Sequence, residues 1–209
     1  MFDTVFATVN AFTRLRLEPW IYLGNTLLVG EGNMSFSKAL MNRPMAHIAH
    51  MTATTYETAR NLSDDAIKNS NDLKRKGVQI FHGVDVTHFE KNFGRHQFDT
   101  IIFQFPNVGS RDPKHGHNPS HILVRNFLRS AAPYLSKEGR IIITTVDSPH
   151  YEGVFQFDDA AKFSNYHTPE SYPFDPEQFS DYSHTNTNDD ESAIEDHRRF
   201  VTHVFRPKR

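Results

Sequence analysis

The chain has 209 residues, enough for one domain with a full core, and its 23 Lys+Arg against 25 Asp+Glu leave a formal charge of −2. No global basic field is available to hold nucleic acid nonspecifically, so any RNA must be met by a local patch or a partner. The absence of cysteine excludes disulfides, thiolate nucleophiles and cysteine metal sites together and fits a reducing compartment.

Residues 1–24 carry acid and arginines, lack the apolar core of a signal peptide, and read as an N-terminal segment of undetermined structure. No stretch approaches the ~18 apolar residues of a membrane span. The expectation is a soluble, cytoplasmic protein that uses no membrane.

Strand and helix signals then alternate. Asn25–Val29 is a short apolar run stopped by Gly30, the pattern of a strand buried on both faces. Ser35–Met41 predicts a short helix ending before Pro44, and Ala46–Thr54 a second strand. Glu57–Lys76 places Ala59, Leu62, Ala66, Ile67 and Leu73 near helical spacing, with Gly77 as its C-cap. Val78–His82 predicts a brief third strand.

Phe98–Phe105 is too continuously apolar for a one-sided sheet. After the polar loop 107–118, Asn118-Pro119 supplies a cap and a first-turn proline. The helix that follows buries Leu123, Phe127, Ala131 and Leu135, and Pro133 bends or ends it. Gly139 turns the chain into the strand Arg140–Val146, and Arg199–Phe205 alternates like a strand. The order predicts an α/β fold: a doubly wound, mostly parallel sheet with helices on both faces, built from residues 25–209. Residues 151–196 are rich in Asp, Ser, Asn, Tyr and Phe and predict an irregular, substrate-facing region.

Ligands of such sheets bind outside the carboxyl ends of the strands, so the residues just after each strand are the ones to weigh. After the first come Gly30, Glu31, Gly32 and Asn33. After the second comes Glu57, 25 residues beyond Gly32 and near the spacing of an acid that grips ribose hydroxyls. It serves equally as a helix N-terminal carboxylate answering the macrodipole. After the third, Asp85 and Val86 offer a carboxylate suited to an adenine amino group, or an ordinary turn aspartate. After the fourth, Gln104-Phe105-Pro106-Asn107 combines two carboxamides, an aromatic ring to stack and a rigid proline, a platform for a planar polar substrate.

The position where a dinucleotide fingerprint carries its third glycine is Ser35, and neither a G-x-x-x-x-G-K-[ST] loop nor a G-x-S-x-G elbow is present. These absences disfavour NAD, NTP hydrolysis and serine hydrolysis, and point to S-adenosylmethionine. The histidines His115, His117 and His121 have spacing that can hold a divalent metal. With no acidic or cysteine ligand beside them, the loop reads as solvated and no metal is expected.

The segments LLVGEGNMSFSKAL, TATTYE, GVDVTHF, FDTIIFQFPNVG and HRRFVTHVFR resemble, in this order, the Rossmann-like methyltransferase family of the fungal large-subunit ribosomal RNA uridine-N(3) methyltransferase. The resemblance runs from about Asn25 to Arg206 and implies S-adenosylmethionine-dependent methyl transfer to ribosomal RNA. It implies that Gly30, Glu31, Gly32 and Asn33 line the methionine end, that Glu57 takes the ribose and that Asp85 with Val86 takes the adenine. Gln104, Pro106 and Asn107 then face the acceptor, where the family reads Asn-Phe-Pro-His. Other methyltransferases carry an acid at the end of the first strand. This chain has Leu28 there, with Glu31 as its substitute. His150 is a candidate base for the imide proton, and Arg198, Arg199, Arg206, Lys208 and Arg209 are local cations for RNA. A small-molecule acceptor, or a binding protein of the same fold without catalysis, remain alternatives.

Overall fold

The computed structural model describes residues 19–108, 112–113, 116–183 and 199–209. Seven strands form one sheet: β1 (Tyr22–Val29), β2 (His47–Thr54), β3 (Gln79–Phe81), β4 (Phe98–Gln104), β5 (Leu135–Val146), β6 (Glu170–Phe174) and β7 (Phe200–Phe205). Their spatial order is β3-β2-β1-β4-β5-β7-β6. β1 through β5 run parallel, and β7 is antiparallel to both β5 and β6.

The central strands are buried on both sides, as their unbroken apolar runs predict. Leu27, Val29, Ile101 and Phe103 face one core layer, Leu28 and Ile102 the other. Parallel pairing sets Leu28 against Ile102 and Val29 against Phe103, so large side chains fill the same level of each layer. Helices α1 (Ser35–Met41) and α2 (Asp64–Arg75) contribute Phe36, Leu40 and Leu73 to one layer. Helices α3 (Pro119–Ala131) and α4 (Phe157–Phe163) contribute Phe127, Leu128 and Ala160 to the other. The sheet is doubly wound.

Several bounds differ from the sequence expectation. β1 starts at Tyr22, not Asn25, and Trp20 lies at 2% exposure with its ring edge-on to Phe36, Phe174 and Phe179. The folded unit therefore takes in residues assigned above to the N-terminal segment. Residues 1–18 lie outside the described residues.

α2 begins seven residues later than its apolar spacing predicts. The Ser63 Oγ accepts the Ala66 N–H at 3.2 Å, Asp64 and Asp65 occupy the first turn, and Lys74 and Arg75 the last. These interactions all favour that start. Residues 55–57 are instead tied to the loop after β3: the Gly83 N–H donates to the Glu57 carbonyl at 2.8 Å and the Val84 N–H to the Thr55 carbonyl at 3.0 Å. Glu57 is thus a loop residue and not a helix N-terminal carboxylate.

The span expected to be irregular contains α4 and β6. β6 is an edge strand with Pro173 in it and only Phe174 buried, so it lacks the alternation that betrays a strand. α3 starts as expected, with the Asn118 side chain accepting the Ser120 N–H at 2.9 Å and Pro119 in the first turn. It ends at Ala131, Pro133 falls in the 3-10 turn Ala132–Tyr134, and Leu135 and Gly139, expected in the helix and in the turn after it, lie in β5, where Leu135 pairs with Phe98.

Replacing Trp20 by Ala removes the ring that joins α1, β6 and residue 179, and is expected to destabilise the fold by about 3–5 kcal/mol. Urea unfolding of both proteins measures it, and a change below ~1 kcal/mol would mean that Trp20 is not part of the cooperative core.

Candidate cofactor and acceptor site

The residues expected to hold the cofactor and face the acceptor follow the carboxyl ends of four neighbouring parallel strands. Following the order β3-β2-β1-β4, Asp85 and Val86 come first, then Glu57, then Gly30 to Asn33, then Gln104, Pro106 and Asn107. At the usual spacing between strands this row spans about 14 Å.

The turn after β1 is built around two left-handed residues. Gly30 has φ 66°, and a Cβ there would lie 2.6 Å from Phe103 Cε2. Both the backbone angle and the space require glycine. Met34 has φ 63° just before α1 and offers no side-chain cap. Glu31 compensates by turning inward. Glu31 is 6% exposed, and its carboxyl oxygen accepts the Ser37 N–H at 2.9 Å, serving as the acceptor at the start of α1. Burial pushes its pKa up to about 7, against the weaker pull of the Ser37 hydrogen bonds. Glu31 therefore fastens the turn from beneath.

Asn33 is a junction. Its Oδ1 accepts the Ser35 N–H at 3.0 Å, its Nδ2 donates to the Ser183 carbonyl at 2.9 Å, and its own carbonyl accepts Asn69 Nδ2 at 2.9 Å. Ser35 Oγ also donates to the Ser183 carbonyl, at 2.6 Å. Residues 179–183 thus run as a strap over the turn, with Tyr182 against Phe36 and its hydroxyl pKa raised by burial and by the Glu31 charge. The sequence marks Ser35 as a helix start and a missing glycine and Tyr182 only as part of the tail that resembles the family, and nothing in it singles out Ser183. Their partner lies some 150 residues away, and no local pattern announces such a pairing.

Glu57 is half-buried, and its Oε2 is enclosed without a hydrogen-bond partner. Desolvation raises its pKa against the pull of its backbone hydrogen bond. Asp85 behaves oppositely. Partial burial pushes its pKa up, but the Thr87 N–H at 2.8 Å and hydroxyl at 2.7 Å, with His88 and Lys91 nearby, outweigh it and hold the carboxyl below its ordinary value. Val86 is buried beside it.

Gln104 is 8% exposed, and neither Oε1 nor Nε2 has a partner. Its neighbour in register, Thr144, spends its hydroxyl on Thr202 at 3.0 Å. A buried carboxamide left unpaired costs about 1–3 kcal/mol per group, which a ligand can recover. Phe105 adopts φ 47° and packs its ring edge-on to Phe174 and Phe200, so it braces the loop from the core side. Beyond it Pro106 is buried and Asn107 exposed. A left-handed phenylalanine at a strand end is strain of the kind that collects at binding sites.

Other expected residues lie apart from this row. His121 is 2% exposed, and its Nδ1–H donates to the Phe155 carbonyl at 2.9 Å; His117 is exposed, and His115 lies outside the described residues. Among the described residues no three metal-ligating side chains gather. His150 belongs to the 3-10 turn Pro149–Tyr151 after β5. Arg199 pairs with Asp147 at 3.7 Å, and Arg198 lies outside the described residues.

The family model described as BMT5-like, rRNA (uridine-N3-)-methyltransferase, matches residues 27–186. An uncharacterized Arabidopsis thaliana protein is 40% identical over 141 residues, 61% of this chain and 67% of that one. The human ferredoxin-fold anticodon-binding domain-containing protein 1 is 33% identical over 138 residues, 60% of this chain but only 22% of the relative. Among solved structures, the complex of DhpI with SAH aligns at TM-score 0.54 and 14% identity, covering 98% of this chain and 86% of that one. The N-methyltransferase NodS from Bradyrhizobium japonicum WM9 aligns at TM-score 0.54 and 14% identity, covering 95% and 94%. These structural matches establish the fold.

The raised pKa of Glu31 carries a pH signature. Its folded value lies above the ordinary carboxyl value, so its contribution is full below about pH 4.5 and is lost as pH rises through about 7. Wild type minus Glu31→Gln should therefore lose on the order of 3 kcal/mol of relative stability between those limits. Urea unfolding of both proteins at pH 4.5, 6 and 8 tests this, and a flat difference would refute the buried, protonated state.

Proposed function

The chain belongs to the BMT5-like rRNA (uridine-N3-)-methyltransferase family, and from that premise we propose that it is an S-adenosylmethionine-dependent methyltransferase acting on a uridine of ribosomal RNA. One observation carries the reading. Two enclosed polar groups without partners, Glu57 Oε2 in the loop after β2 and the Gln104 carboxamide at the end of β4, flank the turn after β1, where Gly30 packs its backbone against the Phe103 ring.

The donor set fits the cofactor. Asp85, ionised at neutral pH, accepts from an adenine amino group, and Val86 gives the base an apolar neighbour. Glu57 accepts from ribose hydroxyls. Gly30 and Gly32 admit the methionine end close to the backbone, where Asn33 and Ser35 supply polar contacts. When bound, S-adenosylmethionine supplies an electrophilic methyl on a sulfonium and leaves as the homocysteine form.

The protein's own contribution is to select and hold the acceptor. The Gln104 Nε2–H can donate to a uracil carbonyl beside N3, leaving N3 itself open to the methyl group. The same N–H stabilises negative charge on that oxygen as N3 loses its proton to solvent water. Pro106, buried after the left-handed Phe105, fixes that loop, and Asn107 stands at the open edge. Alignment of nucleophile and methyl group then accounts for most of the rate. Among the described residues no helix is long and apolar enough to cross a membrane. The lack of cysteine suits a reducing compartment, and we place the activity in the cytoplasm, in ribosomal RNA processing.

Titration calorimetry with S-adenosylhomocysteine and label transfer from the methyl donor to total RNA test the two halves of this reading. Asp85→Asn should weaken homocysteine binding about tenfold, the effect of one charge-assisted bond. Gly30→Val, if folded by circular dichroism, should abolish it. Gln104→Ala should retain cofactor binding yet lower transfer roughly a hundredfold. Cofactor binding without transfer to RNA would leave a binding protein of this fold, and no cofactor binding would refute the site.

A further inference from the structure

Away from the carboxyl edge, the outer side of α3 and α4 gathers cations around one exposed aromatic ring. Arg125 lies flat over the Phe163 ring with Cζ 3.5 Å from the centroid, and Arg129 approaches the same ring at 5.6 Å. Phe163 is 49% exposed, an unusual surface position for a phenylalanine beside two guanidinium groups. α3 holds two arginines and no carboxylate along its length. Ser164 Oγ donates to the Arg125 carbonyl and Tyr166 Oη to the Leu128 carbonyl, which fixes the end of α4 across α3. The Lys208 N–H donates to the Asn165 carbonyl at 2.8 Å, which ties the main chain of the exposed Lys208 to a point two residues beyond Phe163, and the exposed Lys162 precedes Phe163 in α4. Asp158 and Asp159 lie one helical turn before Lys162 and Phe163 on α4.

Among the described residues none of Arg125, Arg129, Lys162 and Lys208 is in an ion pair, although this chain carries more acid than base. Arg125 Nε is enclosed with no hydrogen-bond partner. Stacking leaves the planar fork of Arg125 for a phosphate, and the free part of the Phe163 ring for a base.

α3 starts at the carboxyl edge of the sheet and runs back along it, so Arg125 and Arg129 stand about 9 and 15 Å from its first residue along the axis. A lone nucleoside held at Gln104 cannot reach them. A polynucleotide can.

We infer that the surface formed by Arg125, Arg129, Lys162, Phe163 and Lys208 is the docking face for the single-stranded RNA flanking the modified base. This rests on the reading above that the acceptor is RNA. The cations neutralise backbone phosphates and Phe163 stacks on a base, so binding is local although the net charge is −2.

The test is fluorescence anisotropy of a labelled 20-nucleotide oligouridylate across a salt series, alongside calorimetry with S-adenosylhomocysteine and methyl transfer to total RNA. R125A/R129A should weaken oligouridylate binding about tenfold or more and reduce the log–log salt slope by about 1.4, two phosphate contacts on a single strand. F163A should weaken binding while leaving the slope unchanged. All should keep wild-type cofactor affinity. Because Arg125 is partly packed, R129A/K162A/K208A, on exposed positions, provides the same reading without risk to folding.

Unchanged RNA affinity and slope in both cation variants would overturn the inference, as would failure of the wild type to bind the oligouridylate. Competition by poly-L-glutamate at the same site would overturn it in favour of an acidic protein partner. Oligouridylate binding lost in the variants, with no methyl transfer to RNA by the wild type, would instead sink the proposed function and leave the docking face standing.

Discussion

Everything at the carboxyl edge depends on how the chain leaves β1. It must turn within a few residues from a strand buried on both sides into a helix lying over one of them, and it does so through left-handed backbone at Gly30 and Met34. The second of these has no capping side chain. The carboxylate of Glu31, three positions earlier, supplies the missing acceptor at Ser37. A charge-bearing group is thereby used as a buried fastening, and it is tolerated because burial favours its neutral form. With α1 fixed, Asn33 is fixed, and with it the contacts to α2 and to the strap at Ser183.

The same economy explains the asymmetry between the two carboxylates that remain near the edge. Asp85 satisfies itself with Thr87 and stays ionised, while Glu57 keeps one oxygen enclosed and unpartnered. One is prepared to attract a donor at any physiological pH. The other carries the cost of a buried oxygen that no donor of the protein satisfies. Gln104 stands in the same condition on the far side of the turn, because Thr144, the residue that might have satisfied it, is bonded to Thr202.

Where packing is local, the sequence was transparent. The Asn118-Pro119 cap specifies the start of α3 through contacts a few residues long, and the unbroken apolar run of β4 marks a strand buried on both faces although its partners β1 and β5 are distant in the chain. The site row was legible for the same reason, since strand ends in a parallel sheet define it. What escaped was settled at a distance. Apolar spacing drew α2 back to Glu57, but hydrogen bonds from Gly83 and Val84 hold that segment as loop and leave Ser63 to start the helix. The proline and exposed residues of β6 hide a strand that exists only because β7 pairs with it. Nothing in GEGN shows that its acid points inward, and nothing in QFPN shows that Phe105 packs on Phe174 and Phe200 of the core.

The antiparallel end of the sheet has a kinetic consequence. β6 precedes β7 in the chain, yet β7 lies between it and β5. β6 therefore has no place in the sheet until residues 200–205 have been made, and the strap that follows it cannot settle on Asn33 and Ser35 before then. During synthesis the five parallel strands can assemble while the turn after β1 still lies bare. The closing of that long loop, between partners about 150 residues apart, is a late and slow event. A nascent chain caught at that stage has the carboxyl edge of its parallel strands nearly complete but an uncovered Trp20–Phe36 layer.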